Sequence, residues 1–123
     1  MEMILMENYK LGVMEAKFAC LIWENAPLPS GELVRLCEKQ LEWKKSTTYT
    51  MLRRLCERGI FQNADGMVSA LLSQQEFQSL QSEQFVQETF EGSLPRFLAA
   101  FAARTKLTES EIDSLQSLIH QHK

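Results

Sequence analysis

At Gly59 the spacing of apolar residues changes, and no other feature of the chain restricts its fold as much. Ahead of Gly59 apolar residues recur at helical intervals. Behind it, Ile60-Phe61 and Met67-Val68 with Leu71 flank the segment Asn63-Ala-Asp-Gly66. An Asp-Gly pair between two short apolar runs is the signature of a tight hairpin turn, so two strands of about three to five residues each are predicted. Gly59 itself is expected just past a helix end, where a left-handed backbone favours glycine. The chain must therefore pass from helix to hairpin within a few residues.

What precedes Gly59 divides into three helices. Residues 11–24 place Val13, Met14, Phe18, Leu21, Ile22 and Trp23 at helical spacing. Asn25-Ala-Pro-Leu-Pro29 ends that helix, because two prolines in three residues cannot continue it. Ser30 is the expected N-cap of the next, and Glu32 lies in its first turn, where the helix dipole favours a negative charge. Leu33, Val34, Leu36, Cys37 and Leu41 give this second helix an apolar face. A third runs from about Lys45 to Arg58. Its start has two solutions: Ser46 is the better cap by chemistry, whereas Lys44 gives the longer helix. On the helical period Thr48, Met51, Leu52 and Leu55 share one face, and Ser46, Thr47, Thr50, Arg53 and Arg54 lie opposite.

The rear of the chain is helical. Ser73-Gln-Gln-Glu76 and Thr108-Glu-Ser-Glu111 both fit the capping box, in which a hydroxyl and a carboxylate satisfy each other's backbone N–H groups. One helix is predicted to run to about Glu91, to break at Gly92-Ser93, and to be followed by a second that tolerates Pro95 in its first turn and reaches about Arg104. The last covers roughly 109–121, with Ile112, Leu115, Leu118 and Ile119 on one stripe. Phe77, Phe85, Phe90, Phe97, Phe101, Ile112, Leu115 and Ile119 are more large apolar side chains than three separate helices bury. A second copy of the chain would cover them, and these eight are the expected dimer face. The alternative is packing back onto the front helices.

Function classes narrow by exclusion. With 123 residues the chain suits one compact domain, or a small domain with an oligomerisation arm. No apolar run approaches the ~18–20 residues of a membrane span, and no basic stretch opens the chain as in a secretory signal, so the expected location is the cytoplasm. Cys20, Cys37 and Cys56 are widely spaced and odd in number, which fits helix-buried thiols rather than a disulfide framework or a metal site. His120 and His122 sit in the tail, no Gly-rich phosphate loop occurs, and no nucleophile stands at motif spacing from a base. Neither an enzyme nor a cofactor is expected.

The net charge of −3 hides an asymmetry. Residues 1–58 carry nine basic and eight acidic side chains, residues 59–123 four and eight, and no Lys or Arg lies between Arg58 and Arg96. Lys44, Lys45, Arg53, Arg54 and Arg58 cluster within 15 residues. On an amphipathic helix such a cluster is either a solvated face or a surface for phosphates. Three helices followed by a hairpin is the order of the winged helix-turn-helix, whose third helix enters the major groove with its N-terminal residues at the base edges. Ser46, Thr47 and Thr50 supply hydroxyls for bases and phosphates, and Tyr49 reaches a phosphate at the groove margin. The candidate DNA-binding set is thus Lys44, Lys45, Ser46, Thr47, Tyr49, Thr50, Arg53 and Arg54.

Several pieces of the chain resemble the penicillinase-repressor family of winged-helix repressors, which includes regulators of β-lactam resistance and of copper transport. They are Leu11-Gly-Val-Met-Glu15, Leu21-Ile-Trp-Glu24, Glu42-Trp43, Thr47-Thr-Tyr-Thr50 with Leu52 and Arg54-Leu55, and Arg58-Gly59 in the front, and Phe90-Glu-Gly-Ser93, Lys106-Leu-Thr108 and Glu111-Ile112 in the rear. The resemblance covers residues 9–121. It implies a homodimer that binds a palindromic operator and blocks transcription, with Thr47 and Thr50 at the family's recognition-helix threonines and Arg54 at its basic residue before leucine. Trp43 matches the aromatic ahead of that helix, either as core packing or as a backbone contact. Three features depart from the family. Lys44 stands where serine is frequent. The wing segment Asn63-Ala-Asp-Gly66 carries an acidic residue and no cation, and the return strand Met67-Val-Ser-Ala70 has no aromatic. Ala100-Phe101 replaces the Asn-Phe pair at which β-lactam-responsive members are cleaved, and the tail His120-Gln-His122-Lys123 lacks the cysteines of copper-responsive members.

The expected architecture is mostly α with a small β-hairpin: a winged helix-turn-helix domain over residues 9–72 and a helical dimerisation arm over 73–123. The expected partners are operator DNA, a second copy, and an unidentified inducer ligand or sensor protein, with no membrane. The rival reading is a protein-interaction module, an antirepressor or adaptor that keeps the fold but binds DNA weakly.

Overall fold

Two prolines decide where the first helix stops. In the computed structural model, which describes residues 8–123, α1 (Val13–Asn25) ends at Ala26, and Leu28–Pro29 then forms a two-residue strand, β1. Helices α2 (Ser30–Leu41) and α3 (Lys45–Glu57) follow, then strands β2 (Phe61–Ala64) and β3 (Met67–Ala70), and helices α4 (Gln74–Phe90), α5 (Leu94–Arg104) and α6 (Glu109–Gln121). The contacts divide the chain into a front unit ending at Ser82 and a rear unit starting at Glu83.

The hairpin has the predicted turn. Ala64 pairs with Met67, leaving Asp65 and Gly66 as a two-residue loop with φ of 52° and 86°. Positive φ at both positions is the type I′ geometry that matches strand twist. The sheet, however, has three strands in the order β1-β3-β2, not two. Leu28 pairs with Val68 and Pro29 with Met67, and Pro29 is tolerated because β1 is an edge. This pairing also changes the start of α2. The Ser30 N–H donates to the Gly66 carbonyl at 2.8 Å, so Ser30 is the first helical residue and Pro29 the cap, without a side-chain hydrogen bond.

The front core is built from α1 (Phe18, Ala19, Leu21, Ile22), β1 (Leu28), α2 (Leu33, Cys37), α3 (Leu52, Leu55) and the sheet (Phe61, Val68), with Ile60. Val13 and Met14, which share the helical spacing, are 75% and 42% exposed and lie outside it. Phe77 is a correction to the expected dimer face: it is 1% exposed and belongs to the front core. Its ring lies 5.5 Å from that of Trp23, which in turn meets Phe61 at 5.2 Å and donates from Nε1 to the Leu72 carbonyl at 2.9 Å. These contacts hold the first turns of α4 in the front unit. Ser73 and Glu76 cap α4 reciprocally, as predicted, and so do Thr108 and Glu111 on α6.

Within the rear unit Phe97 sits among three other rings, at 5.9 Å from Phe85, 5.6 Å from Phe90 and 6.3 Å from Phe101. No residue of α5 or α6 is buried. Phe85, Phe101, Ile112, Leu118 and Ile119 are all exposed, and Phe97, Leu98, Phe101, Leu107 and Leu115 line an apolar hollow of about 370 Å³. Among the described residues no helix is long and apolar enough to cross a membrane.

Candidate nucleic-acid interface

The turn between α2 and α3 is short. Glu42 closes α2 in the left-handed conformation (φ 57°), the Trp43 N–H donates to the Cys37 carbonyl at 3.2 Å, and Lys44 is the extended cap residue of α3. Of the two starts open in the sequence, the longer helix is the one formed. Trp43 is half-buried and tilts over Phe18 at a ring distance of 5.2 Å, on the core side of the turn.

Because α3 starts at Lys45, Ser46 and Thr47 fall in its first turn, both exposed. That turn contains no acidic residue, and Lys44 makes no side-chain cap. The positive end of the helix dipole is left uncompensated, with N–H groups unpaired within the helix, a setting that favours anions. The opposite side of the same helix is core: Thr48, Leu52 and Leu55 are buried. Thr50 is half-buried, and Arg53 and Arg54 are exposed. Consecutive threonines thus face in different directions, Thr48 inward and Thr47 outward.

The cations differ in their commitments. Among the described residues Lys44, Lys45 and Arg53 have no ion-pair partner, and Arg54 lies 3.7 Å from the sulfur of Met51. Arg58, counted with the phosphate-facing cluster, is not available in the same way. Its guanidinium donates to the backbone carbonyls of Asn8 and Lys10 and approaches Glu15 at 3.9 Å. Tyr49 is half-buried, its hydroxyl 3.0 Å from that of Ser30, so the first residue of α2 orients the tyrosine at the edge of α3. Ser30 enters this site through that contact, which no local pattern signals.

Beside α3, Tyr49, Leu52, Arg53, Cys56 and Asn63 surround a hollow of about 320 Å³ against the first strand of the wing. Asn63 thus joins the α3 surface as a neutral amide. No Lys or Arg lies on the hairpin, and its tip carries Asp65. Burial pushes the Cys37 thiol above its ordinary pKa, opposed by the Thr48 hydroxyl. Cys56 is also raised, by burial first, with the Asn63 backbone opposing and Glu57 adding. Both stay protonated at neutral pH, and a protonated thiol is a weak nucleophile and a poor metal ligand. Among the described residues no cluster of three or more His, Cys, Asp or Glu is placed to hold a metal.

A family model described as penicillinase repressor matches residues 11–121. A penicillinase repressor of Bacillus licheniformis is 23% identical over 107 residues, 84% of each chain.

Proposed function

The chain belongs to the penicillinase repressor family, and from that premise we propose that it is a homodimeric repressor that sets α3 in the major groove of a palindromic operator and occludes a promoter. The observation that carries this reading is the outer face of α3. It joins the exposed Ser46 and Thr47 to cations without ion-pair partners, at a helix end whose dipole no acidic residue offsets. Lys44, Lys45, Arg53 and Arg54 neutralise phosphates, Thr47 and Thr50 meet base edges, and Tyr49 holds a phosphate at the margin. The dimer is supported by a rear unit without buried residues in α5 or α6. Phe85, Phe90, Phe97, Phe101, Ile112, Leu115 and Ile119 then form the shared core, and the two α3 helices meet half-sites about one or two helical turns apart. Residues 9–72 carry the DNA function and 73–123 the arm, with the start of α4 serving both. Release is by an inducer ligand or a sensor protein.

Recovering the genomic fragments that the purified protein binds tests this directly. Four cations per protomer give a slope of log K against log salt of up to about −7 for a dimer on its operator. A flat salt dependence with no enriched fragment would favour the interaction module, to which the wing without cations lends its one supporting observation.

A further inference from the structure

Residues 8–12 form an irregular strap ahead of α1, and the strap touches both the end of α3 and the front half of α4. On one side, Arg58 at the C-cap of α3 donates from Nη2 to the carbonyls of Asn8 and Lys10, the latter at 2.7 Å. Its Nη1 approaches Glu15 Oε2, while Glu15 Oε1 accepts the Gly12 N–H at 2.8 Å. One guanidinium therefore fixes three points of the strap and of the first turn of α1. On the other side, the Tyr9 ring meets that of Phe77 edge-on at 5.9 Å, and the Tyr9 carbonyl accepts from Gln81 Nε2 at 2.8 Å. Phe77 is the buried residue of α4, and Gln81 lies one turn further along the same face. Tyr9 thus meets α4 at two points, Phe77 and Gln81, while Trp23 also packs on Phe77 and Gln74 Nε2 lies 3.7 Å from the Cys20 sulfur of α1.

We propose that this strap pins the recognition helix to α4, with Arg58, Tyr9 and Gln81 as positioning residues that set the operator half-site spacing the protein accepts. The proposal rests on the dimeric DNA-binding reading above. Helix α4 runs from Gln74 to Phe90 and so extends past Ser82, the last residue of the front unit, toward the proposed arm. In a two-fold dimer the separation of the recognition helices depends on how firmly each is fixed to the element that leads to its partner. Charge-assisted bonds from a planar guanidinium to two carbonyls are directional, and they hold the strap in one register. Loosening them lets α3 and α4 shift against each other and broadens the range of spacings.

The test uses the full-length protein and synthetic operators that carry two half-sites at the preferred spacing, at one base pair more and at one fewer, together with a single half-site. Arg58→Gln removes the charge, Gln81→Leu cuts the strap from α4 and leaves Arg58 in place, and Arg58→Lys keeps the charge without the fork. Wild-type protein is expected to discriminate between spacings. Arg58→Gln and Gln81→Leu are expected to reduce the ratio of affinities, preferred over altered spacing, by about five-fold, the lower end of coupling between sites. Arg58→Lys should fall between, and affinity for the single half-site should hold. A purely structural role would lower every affinity by one common factor and leave the ratio untouched. An unchanged ratio in both Arg58→Gln and Gln81→Leu overturns the strap proposal alone. Failure of wild-type protein to bind any operator overturns the DNA reading and the strap with it.

Discussion

Valine at each of three threonines of α3 should separate the core face from the groove face. Valine keeps the branched shape and the methyl of threonine, has nearly the same helix propensity, and removes the hydroxyl alone. Thr48 is 1% exposed, and its Oγ1 has no hydrogen-bond partner. The nearby Cys37 thiol is a weak donor and acceptor and offsets little of that cost. A buried, unsatisfied hydroxyl costs about 1–3 kcal/mol. Thr48→Val is therefore expected to stabilise the protein by about 1 kcal/mol, the lower end allowing for lost contact with Cys37, and to leave operator affinity unchanged. Thr47 is exposed and Thr50 half-buried, so Thr47→Val and Thr50→Val should alter stability by less than about 0.5 kcal/mol. Each should weaken operator binding by about 1–3 kcal/mol if its hydroxyl reads a base. Urea unfolding followed by tryptophan fluorescence gives the first quantity, and fluorescence anisotropy on labelled operator gives the second. Destabilisation of Thr48→Val by more than about 1 kcal/mol would show that its hydroxyl is satisfied and that the inward face has been misjudged. Full operator affinity in the Thr47→Val/Thr50→Val double variant would sink the groove-face assignment.

Phe97→Asp or Leu115→Asp should give monomers in sedimentation experiments, because a carboxylate in an apolar interface is not compensated; two dimeric variants would refute the arm. Asn63→Lys and Ala64→Lys should tighten DNA binding and steepen the salt slope by about 1 per protomer, and no change would place the hairpin away from the DNA. The raised thiols bind their protons more tightly in the folded state than in the unfolded one. Their stabilising contribution is therefore complete below the ordinary thiol pKa, about 8.5, and is lost as the pH rises through the folded-state values. Denaturation midpoints should decline above that pH, and Cys37→Ala/Cys56→Ala should flatten the decline; equal slopes would contradict it. On promoter induction in cells the chain should keep its full mass or be cut away from Ala100, which lies inside α5 where an asparagine-reading protease finds no amide. A fragment ending at Ala100 would refute this.

What the sequence reveals depends on the range over which each feature is determined. The Asp65-Gly66 turn, the caps at Ser73 and Thr108, and the inward stripe of α3 are set by residues at most a few positions apart, and each takes the predicted form. Strand β1 does not: two residues, one of them proline, have no period, and their partners Val68 and Met67 lie far along the chain. Ser30 has the chemistry of a cap, yet the Gly66 carbonyl takes its N–H and Tyr49 meets its hydroxyl, so the cap moves to Pro29. Arg53 and Arg58 are the same residue five positions apart, and composition assigns both to phosphate. The distinction comes from the carbonyls of Asn8 and Lys10, some 50 residues earlier in the chain. Phe77 and Phe85 divide in the same way, because Trp23 and Tyr9 cover the first while the second remains 49% exposed. Helical spacing states that an aromatic side chain needs cover but not which surface provides it. For Phe77 the surface belongs to its own front unit. For Phe85 and the exposed residues of α6 the same need is left open within the described chain, and the proposed second copy would meet it at no cost in new sequence, because a two-fold axis presents each apolar stripe to its own duplicate.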